Sequence, residues 1–400
     1  MFKSSDGGAN WNTGADAKGG DKQWMTIDRS TGVGTGNIYS YWTSYYSSCM
    51  PGNFTRSTDG GNSFEDCVEV SGNPYWGTMA VGNNGELYIV GSAYTDGLIV
   101  AKSSTAQTPG ATVAWDFSTF VDIDGYIASQ MQVNPVGLLG QASIDVDRSN
   151  GPGRGNVYVL ASVVRMSNGD PADVMFAKST DGGLTWNFPV QVDDDPAAYN
   201  YQWFGTMSVA PNGRIDVVWL DTRDDLTSSD NSALYYSYSL DQGETWSVNE
   251  KLSPVFNPHI GYPQQDKMGD YFDMQSDDAG VHLAWANTLN DEEDVYYSHI
   301  TPPVTGIGNP QKTDNYLTVT CYPNPFRDIT TIRYQIPGED NVKLSIYNVC
   351  GQEITTLVNK EQPAGIYTFS YASSDLPEGY YYCRLTSGSL NKMTSLVKVK

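Results

Sequence analysis

The stretch Ser179-Thr180-Asp181-Gly182-Gly183-Leu184-Thr185-Trp186 reads as a tight turn, and its spacing recurs along the chain. A short carboxylate such as Asp181 accepts backbone N–H bonds from the residues after it, which closes a turn locally. Gly183 allows backbone angles that a Cβ disfavours. Trp186 offers a large apolar surface to the interior. Strand-like residues 174–177 precede the turn, so the octet predicts a hairpin connection.

Three further octets share this spacing: Ser, Asp two residues on, Gly two further, and an aromatic residue three beyond that. They comprise Ser4, Asp6, Gly8 and Trp11; Ser57, Asp59, Gly61 and Phe64; and Ser239, Asp241, Gly243 and Trp246. Four copies at matched spacing indicate a true repeat. Because each Asp closes its own turn, we predict that these carboxylates are structural, lie on separate bends and take no part in catalysis.

The octets resemble the Asp-box (BNR) repeat of sialidase-like β-propellers, in which the box joins the third and fourth strands of a blade. A degenerate copy, Ser103-Ser104-Thr105, lacks the Asp and opens an expanded turn that reaches Trp115. Repeat periods of about 40–60 residues with four strands each are typical of propeller blades. Six third-strand positions predict an all-β, six-bladed β-propeller. Five blades is the alternative, with the N-terminal strand completing the last unit.

The first box lies next to the N-terminus of the sequence. Only Met1 to Lys3 precede the first octet, whereas a box needs a strand before it. We therefore expect the natural chain to extend upstream, and the first blade to lack its inner strands here.

A change in composition and in the pattern of apolar residues along the chain predicts the domain organisation. The propeller is expected over 1–301, a Pro/Gly linker over 302–315 and a second domain over 316–400. In the last part, apolar and polar positions alternate between short turns, which predicts a small Ig-like antiparallel β-sandwich.

The stretch from Leu317 to Lys400 resembles the type A C-terminal sorting domain of the type IX secretion system. The resemblance implies a Gram-negative Bacteroidota-type bacterium, recognition by the secretion machinery, and release or display at the outer-membrane surface. The sequence departs from that family at Cys321, Cys350 and Cys383, which raises the prospect of a local disulfide or of small buried side chains.

Composition excludes some classes of function. The net charge of −23 argues against nucleic acid, since phosphate contacts need clustered Lys and Arg. The sequence has no apolar window of the ~18 residues that a transmembrane helix needs. Of the five Cys, Cys49 and Cys67 bracket one octet and could meet across a hairpin as a disulfide. No Cys pair has the spacing of a metal site.

Catalysis by the sialidase-like family would need three Arg on a substrate carboxylate, a Tyr nucleophile paired with Glu, and an Asp acid. The Phe/Tyr-Arg-Ile-Pro segment that supplies the first Arg is missing from this sequence. Arg29 and Arg148 lie in a repeated Asp-Arg-Ser turn, where a structural ion pair is the favoured interpretation. Arg223 could face a cleft, although flanking Asp residues favour neutralisation.

Asp270 and Tyr271 enter a predicted inner strand near the central channel, and Trp76 and Trp203 precede equivalent strands. The Asp–Tyr pair could bind a ligand, with a capped turn as the alternative. The two Trp could form a sugar-stacking rim, with core packing as the alternative. With Arg223, Asp270 and Tyr271 are the catalytic candidates, and they do not make a complete set.

Surface carboxylates offer candidate oxygen ligands for Ca²⁺. They are Asp122, Asp124, Asp193, Asp194 and Asp195. None of them belongs to a full EF-hand loop, so no cofactor is assigned beyond this Ca²⁺ hypothesis.

These observations favour a secreted or surface propeller that binds a glycan or a protein and carries no chemistry of its own. One alternative is a sialidase-like exo-glycoside hydrolase. Another is a structural subunit of an extracellular assembly that associates with itself.

Overall fold

The computed structural model describes residues 1–225, 230–260, 268–302, 317–322, 324, 326–336, 338–349, 351–363, 365–372, 376–388 and 390–399. The chain forms two compact units, Met1–Val304 and Thr305–Lys400. All regular structure in the described residues is β-strand. Residues 303–315 of the predicted linker lie outside the described ranges.

Five antiparallel sheets of three or more strands follow one another along the first unit, with one two-stranded sheet between the second and the third. The first sheet contains β1 (Asp21–Ile27), β2 (Ile38–Thr43) and β3 (Phe54–Ser57), and the second contains β4 (Met79–Val81), β5 (Leu87–Ser92), β6 (Leu98–Ser103) and β7 (Phe117–Val121). The connection that follows contains β8 (Gly125–Tyr126) and the two-stranded sheet of β9 (Ser129–Met131) and β10 (Asn134–Leu138). The third sheet contains β11 (Ser143–Val146), β12 (Val157–Arg165), β13 (Asp173–Ser179) and β14 (Val190–Gln191), and β8 pairs with β12. The fourth sheet contains β15 (Gln202–Val209), β16 (Ile215–Asp221), β17 (Ala233–Ser239) and β18 (Glu250–Lys251), and the fifth contains β19 (Asp273–Ser276), β20 (Val281–Asn287) and β21 (Asp294–Ile300).

The middle sheets are buried on both faces. Every residue of β13 and of β16 is buried, and apolar residues run without interruption over 174–177 and 217–220. Neighbouring sheets share their cores: Leu160 of the third sheet packs in one cluster with Val217 of the fourth, and Val218 of the fourth with Leu283 of the fifth. Alternate residues of one strand therefore face different neighbouring sheets.

The first strands of all five sheets, β1, β4, β11, β15 and β19, line one channel with a cavity of about 510 Å³. Sheets stacked around a shared channel, with their first strands innermost, give the radial architecture of a β-propeller.

The turn octets close in one way. Ser179 Oγ accepts a hydrogen bond from Gly183 N at 2.8 Å and donates one to Asp181 Oδ1 at 2.8 Å. Asp181 Oδ1 also accepts from Thr185 N at 2.9 Å, and Thr185 Oγ1 donates to Asp181 Oδ2 at 2.6 Å. Gly182 and Gly183 have φ values of 73° and 94°, which a Cβ disfavours. The Asp side chains of the octets lie on separate bends, after β3, β13 and β17 and near the N-terminus.

The degenerate copy keeps its serine anchor. Ser103 Oγ accepts from Ala106 N at 3.0 Å and donates to Ala114 O at 2.7 Å. The intervening tip, around Pro109 and Gly110, is exposed. The loop is thus longer while its base is still tied by the hydroxyl group of Ser103.

The N-terminal segment differs from both predicted arrangements. Among the described residues, 1–20 contain no strand, and β21 pairs only with β20. Met1 lies against Gly61, and Lys3 Nζ donates to Gly60 O at 3.0 Å. Trp11 is 62% exposed, although the octet pattern predicted burial, because no sheet packs over it. Five sheets of three or more strands are described in the first unit, and a count of six blades stays a prediction.

Two antiparallel sheets form the second unit. Its strands are β22 (Thr318–Tyr322), β23 (Ile329–Ile336), β24 (Asp340–Asn348), β25 (Glu353–Gln362), β26 (Gly365–Ala372), β27 (Gly379–Ser387) and β28 (Leu390–Lys398), in the orders β22-β23-β26 and β25-β24-β27-β28. Both sheets contribute to one hydrophobic core that includes Ile332, Leu344 and Leu385. Burial alternates along β23 and β27, as the sequence pattern indicated.

Candidate functional site

The first, third and fifth sheets are joined at one mouth of the channel. Trp24 Nε1 donates to Gln141 Oε1 at 2.9 Å, and Gln141 Nε2 donates to Asp270 O at 2.8 Å. The rings of Trp24 and Tyr271 lie 5.7 Å apart, tilted by 50°. Trp24 lies within β1, whereas Gln141, Asp270 and Tyr271 come just before β11 and β19. We call Lys22, Trp24, Gln141, Asp270 and Tyr271 the mouth cluster.

An ion pair lies beside the two rings. Lys22 Nζ is 3.0 Å from Asp270 Oδ2 and 3.1 Å from Asp21 Oδ1. Asp270 is buried, and its Oδ1 accepts from Leu138 N at 3.2 Å. Burial alone would lower the pKa of Lys22, but the hydrogen bonds and charges of Asp270 and Asp21 raise this pKa overall. The ammonium group therefore stays charged at neutral pH.

Tyr271 is the accessible ring of the mouth cluster. Its side chain is 46% exposed, and its partial burial raises the pKa of its hydroxyl group. At neutral pH it is a neutral hydrogen-bonding phenol on an apolar ring. The exposed ring can stack on a polar ligand, and the partly exposed Lys22 and Asp21 groups nearby can hydrogen-bond to it. Asp270 and Gln141 are buried behind them and are hydrogen-bonded within the protein.

Left-handed backbone positions recur at this mouth. Lys22, Trp76 and Phe204 have φ values of 56°, 56° and 57°, and each lies two residues before a channel-lining residue. The register is irregular at Lys22 and at Phe204. Bulges of this kind re-aim side chains near functional sites. Here these left-handed positions lie where the inner strands enter the channel. Nothing in the sequence pattern predicted them.

The channel wall carries one unusual carboxyl group. Asp273 lines the channel and is exposed to solvent there, while the surrounding protein raises its pKa. Gln275 lines the wall two residues further along the same strand, and apolar side chains such as Met25 and Met274 lie near them. The interior is therefore mixed, with apolar surface interrupted by few polar groups.

At the other end of the channel lie Arg29 and Arg148. Arg148 binds Asp145 Oδ1 at 2.7 Å and Val81 O at 2.8 Å, so its guanidinium group ties two inner strands together. Arg29 is exposed. This pair of Arg side chains does not form the three-Arg set of a sialidase.

Arg223 lies away from the channel. Its guanidinium group is 2.8 Å from Asp221 Oδ2 and 2.5 Å from Asp194 Oδ1, and it stacks 4.7 Å from the ring centre of Tyr235. Burial would lower the pKa of Arg223, but Asp221 and Asp194 raise it overall. The carboxylates neutralise this side chain, and it joins the third and fourth sheets.

The predicted Ca²⁺ ligands do not converge. Their partners are the backbone N of Asp124 for Asp122, Arg165 for Asp124, Val174 N and Gln191 for Asp193, Arg223 for Asp194, and Asn200 for Asp195. Within the described ranges, no group of three or more His, Cys, Asp or Glu side chains is placed to hold a metal ion. The cation-site prediction therefore finds no support in this part of the chain.

The remaining candidates pack within the fold. Trp203 is fully buried in the core shared by the fourth and fifth sheets, and Trp76 is half-buried and packs against Tyr75. Cys49 and Cys67 form a disulfide. Lys22, Trp24 and Gln141 were missed by the sequence analysis, because they lie far apart in the chain and only the radial arrangement brings them together.

A family comparison identifies the C-terminal region. The family described as "Secretion system C-terminal sorting domain" matches residues 320–399. The protein is therefore secreted to the cell surface or to the outside, along the type IX route of Bacteroidota. In the described part of the chain, no helix has the length and apolar character needed to cross a membrane.

Solved structures give distant similarities. The GH93 α-L-arabinofuranosidase of Fusarium graminearum is 14% identical, with 82% of this chain and 89% of that chain covered and a TM-score of 0.40. PorZ, a surface component of the type IX secretion system of Porphyromonas gingivalis, is 15% identical over 91% of this chain and 43% of its own, with a TM-score of 0.31. A leech intramolecular trans-sialidase is 10% identical over 87% and 68%, with a TM-score of 0.37. A comparison with curated proteins finds no match. At these scores no activity is transferred.

Proposed function

We propose that this secreted protein is a propeller that binds a neutral glycan at the mouth cluster, without cleaving it. The observation that supports the proposal is the Trp24–Tyr271 ring pair set beside the Lys22–Asp270 ion pair and the Gln141 amide group. A sugar ring presents C–H faces that stack on aromatic rings, and hydroxyl groups that bond to charged and amide groups. Sites of this kind combine apolar surface with a few placed polar groups.

Charge selects the class of glycan. The chain carries a net charge of −23, which repels polyanions over long range. At the mouth, Asp21 and Asp270 together outweigh Lys22. A neutral glycan therefore fits this site better than a sialylated or sulfated one.

An exo-glycoside hydrolase is the second candidate, and Asp273 favours it. The surrounding protein partly desolvates this carboxyl group and raises its pKa, which suits a general acid. Glycoside hydrolysis normally needs two carboxyl groups that flank one bond. The other Asp side chains that line the channel, Asp145 and Asp270, are bound to Arg148 and Lys22, so binding without cleavage is favoured.

Tyr271→Ala provides the test. Binding of the full chain to an array of neutral and sialylated glycans is measured first, and titration calorimetry then quantifies the best neutral ligand. The variant removes an exposed ring, so we expect at least about tenfold weaker binding, equivalent to about 1.4 kcal/mol, and an unchanged thermal midpoint.

Tyr94→Ala is the matched control, because Tyr94 is an exposed tyrosine, at 95%, that does not belong to the mouth cluster. It should bind as the parent does. Equal affinity of Tyr271→Ala and Tyr94→Ala, or a preference for sialylated probes, would contradict the proposed site. Turnover of a glycan that is abolished by Asp273→Asn would establish the hydrolase instead.

A further inference from the structure

Two cysteines face each other across the second unit. Cys321 lies in β22 of the three-stranded sheet, and Cys383 lies in β27 of the four-stranded sheet. β22 packs against both β27 and β28. Cys383 is completely buried, whereas Cys321 is half-buried at the margin of the same core. The two thiols therefore come from different sheets and meet inside the sandwich-like core.

The two cysteines are near neighbours, since both belong to the same hydrophobic core. The interaction with Cys321, together with burial, raises the pKa of Cys383. A thiol held protonated is a poor nucleophile and a poor metal ligand. The described residues also offer no His, Asp or Glu side chains that would complete a metal site with these two cysteines. Catalysis and metal binding are thus disfavoured. What distinguishes the pair is that two cysteines from different sheets lie in one hydrophobic core.

We propose that Cys321 and Cys383 form a disulfide once the protein has left the cytoplasm. This bond would link the two sheets of the second unit. Disulfides form and persist in the periplasm and at cell surfaces, where secreted proteins mature. Cys321 is the more accessible thiol, and it is therefore the first to react.

A periplasmic protein disulfide acts as the oxidant and takes up the two electrons that the two thiols lose. The Cys321 thiolate attacks one sulfur of the oxidant's disulfide, which gives a mixed disulfide and releases one thiolate of the oxidant. Cys383, deprotonated while the unit is still folding, then attacks the Cys321 sulfur and displaces the second thiolate. Two thiols lose two protons and two electrons, one S–S bond forms, and the oxidant's disulfide is reduced to a dithiol.

The proposed disulfide would restrain one edge strand of the second unit. β27 is paired on both sides, with β24 and β28, whereas β22 is an edge strand that pairs only with β23 among the described strands. A bond from β22 to β27 would therefore anchor an edge strand to the centre of the opposite sheet. It would oppose opening of the unit at its first strand, β22.

Disulfide mapping of the full chain, exported to the periplasm and alkylated before any reduction, tests the proposal directly. Mass spectrometry of a proteolytic digest should give a linked peptide pair containing Cys321 and Cys383. Cys350→Ser, which removes the remaining cysteine, should leave that pair intact. Alkylation of both Cys321 and Cys383 in the unreduced protein, or pairing of either one with Cys350, would overturn the proposal.

A second readout compares how reduction changes thermal unfolding of the parent chain and of one variant. Reduction should lower the thermal midpoint of the second unit by about 10 °C or more in the parent chain. The same treatment of Cys321→Ala should leave that midpoint unchanged, although the Cys49–Cys67 bond of the first unit is reduced in both. An equal response of parent and variant would also refute the cross-link.

Discussion

The fourth and fifth sheets contain the same tripeptide in the same kind of strand, yet its burial differs. Tyr235-Tyr236-Ser237 in β17 is buried throughout, with Tyr236 only 1% exposed. In Tyr296-Tyr297-Ser298 of β21, Tyr297 is 67% exposed. Sheets pack on both faces of the fourth sheet, whereas one face of the fifth, which includes Val295, Tyr297 and His299, is open. Local sequence thus sets the strand, and the neighbouring sheet sets the burial.

Truncating the two equivalent tyrosines should produce the largest contrast. Tyr236→Ala leaves a cavity in the core and removes the bond of its hydroxyl group to Asp216 at 2.7 Å, so we expect the free energy of unfolding to fall by about 3–5 kcal/mol. Tyr297→Ala should lower it by less than about 1 kcal/mol. Urea unfolding of both variants measures the difference. Comparable losses would mean that the open face is covered in solution.

Two acidic residues, Asp170 and Asp277, should make the stability of the fold depend on pH in opposite directions. Burial and the charge of Asp173 raise the pKa of Asp170 to about 6. The folded state then holds this proton between the unfolded value of 3.8 and about 6, so this contribution to stability is present at low pH and is lost as pH rises through that window. Asp170→Asn should reduce the fall in stability between pH 4.5 and 7 by about 1–2 kcal/mol.

Asp277, next to the fifth sheet, is the matched control. Backbone bonds from Gly280 and the side chain of His282 lower its pKa below 3.8. Its contribution is present above pH 3.8 and is lost as the pH falls below that value. Urea titrations at several pH values should therefore show Asp277→Asn altering only the acid limb. A variant of Asp170 that leaves the slope between pH 4.5 and 7 unchanged would show that this carboxyl group ionises normally.

The smallest of these effects should come from the turns. Asp181→Ala removes the carboxylate that accepts bonds from Thr185 and Ser179, so stability should fall by about 1 kcal/mol. Asp6→Ala, in the octet whose Trp11 is exposed, should have a smaller effect, because no sheet packs on that turn. Thermal unfolding of both variants measures the comparison. A larger loss for Asp6→Ala would mean that the N-terminal turn is packed in solution.

Repeated local chemistry could be predicted from the sequence, and contacts between repeats could not. The octet spacing predicts a turn closed by Asp181, because acceptor and donors lie within four residues of each other. The serine hydroxyl as second acceptor was missed. The exposure of Trp11 was also missed, because it depends on a neighbouring sheet that the spacing does not report.

The candidate site divides in the same way. Asp270 and Tyr271 were candidates from the sequence because they enter an inner strand next to polar residues. Lys22, Trp24 and Gln141 joined them only through the radial arrangement of the sheets, which carries no local signal. Arg223 was correctly placed after a strand, but its position between two sheets depends on Asp194, which belongs to the preceding repeat.

The expanded turn after β6 makes the outer rim of the propeller a natural position for inserting foreign peptides. Its base stays fastened by Ser103, while Gly110 at its tip has open space where a side chain would project. An epitope or affinity tag grafted between Thr108 and Gly110 would extend into solvent and leave the strands undisturbed. Loop lengthening at such a rim also offers lineages a route to new surface contacts without redesign of the interior.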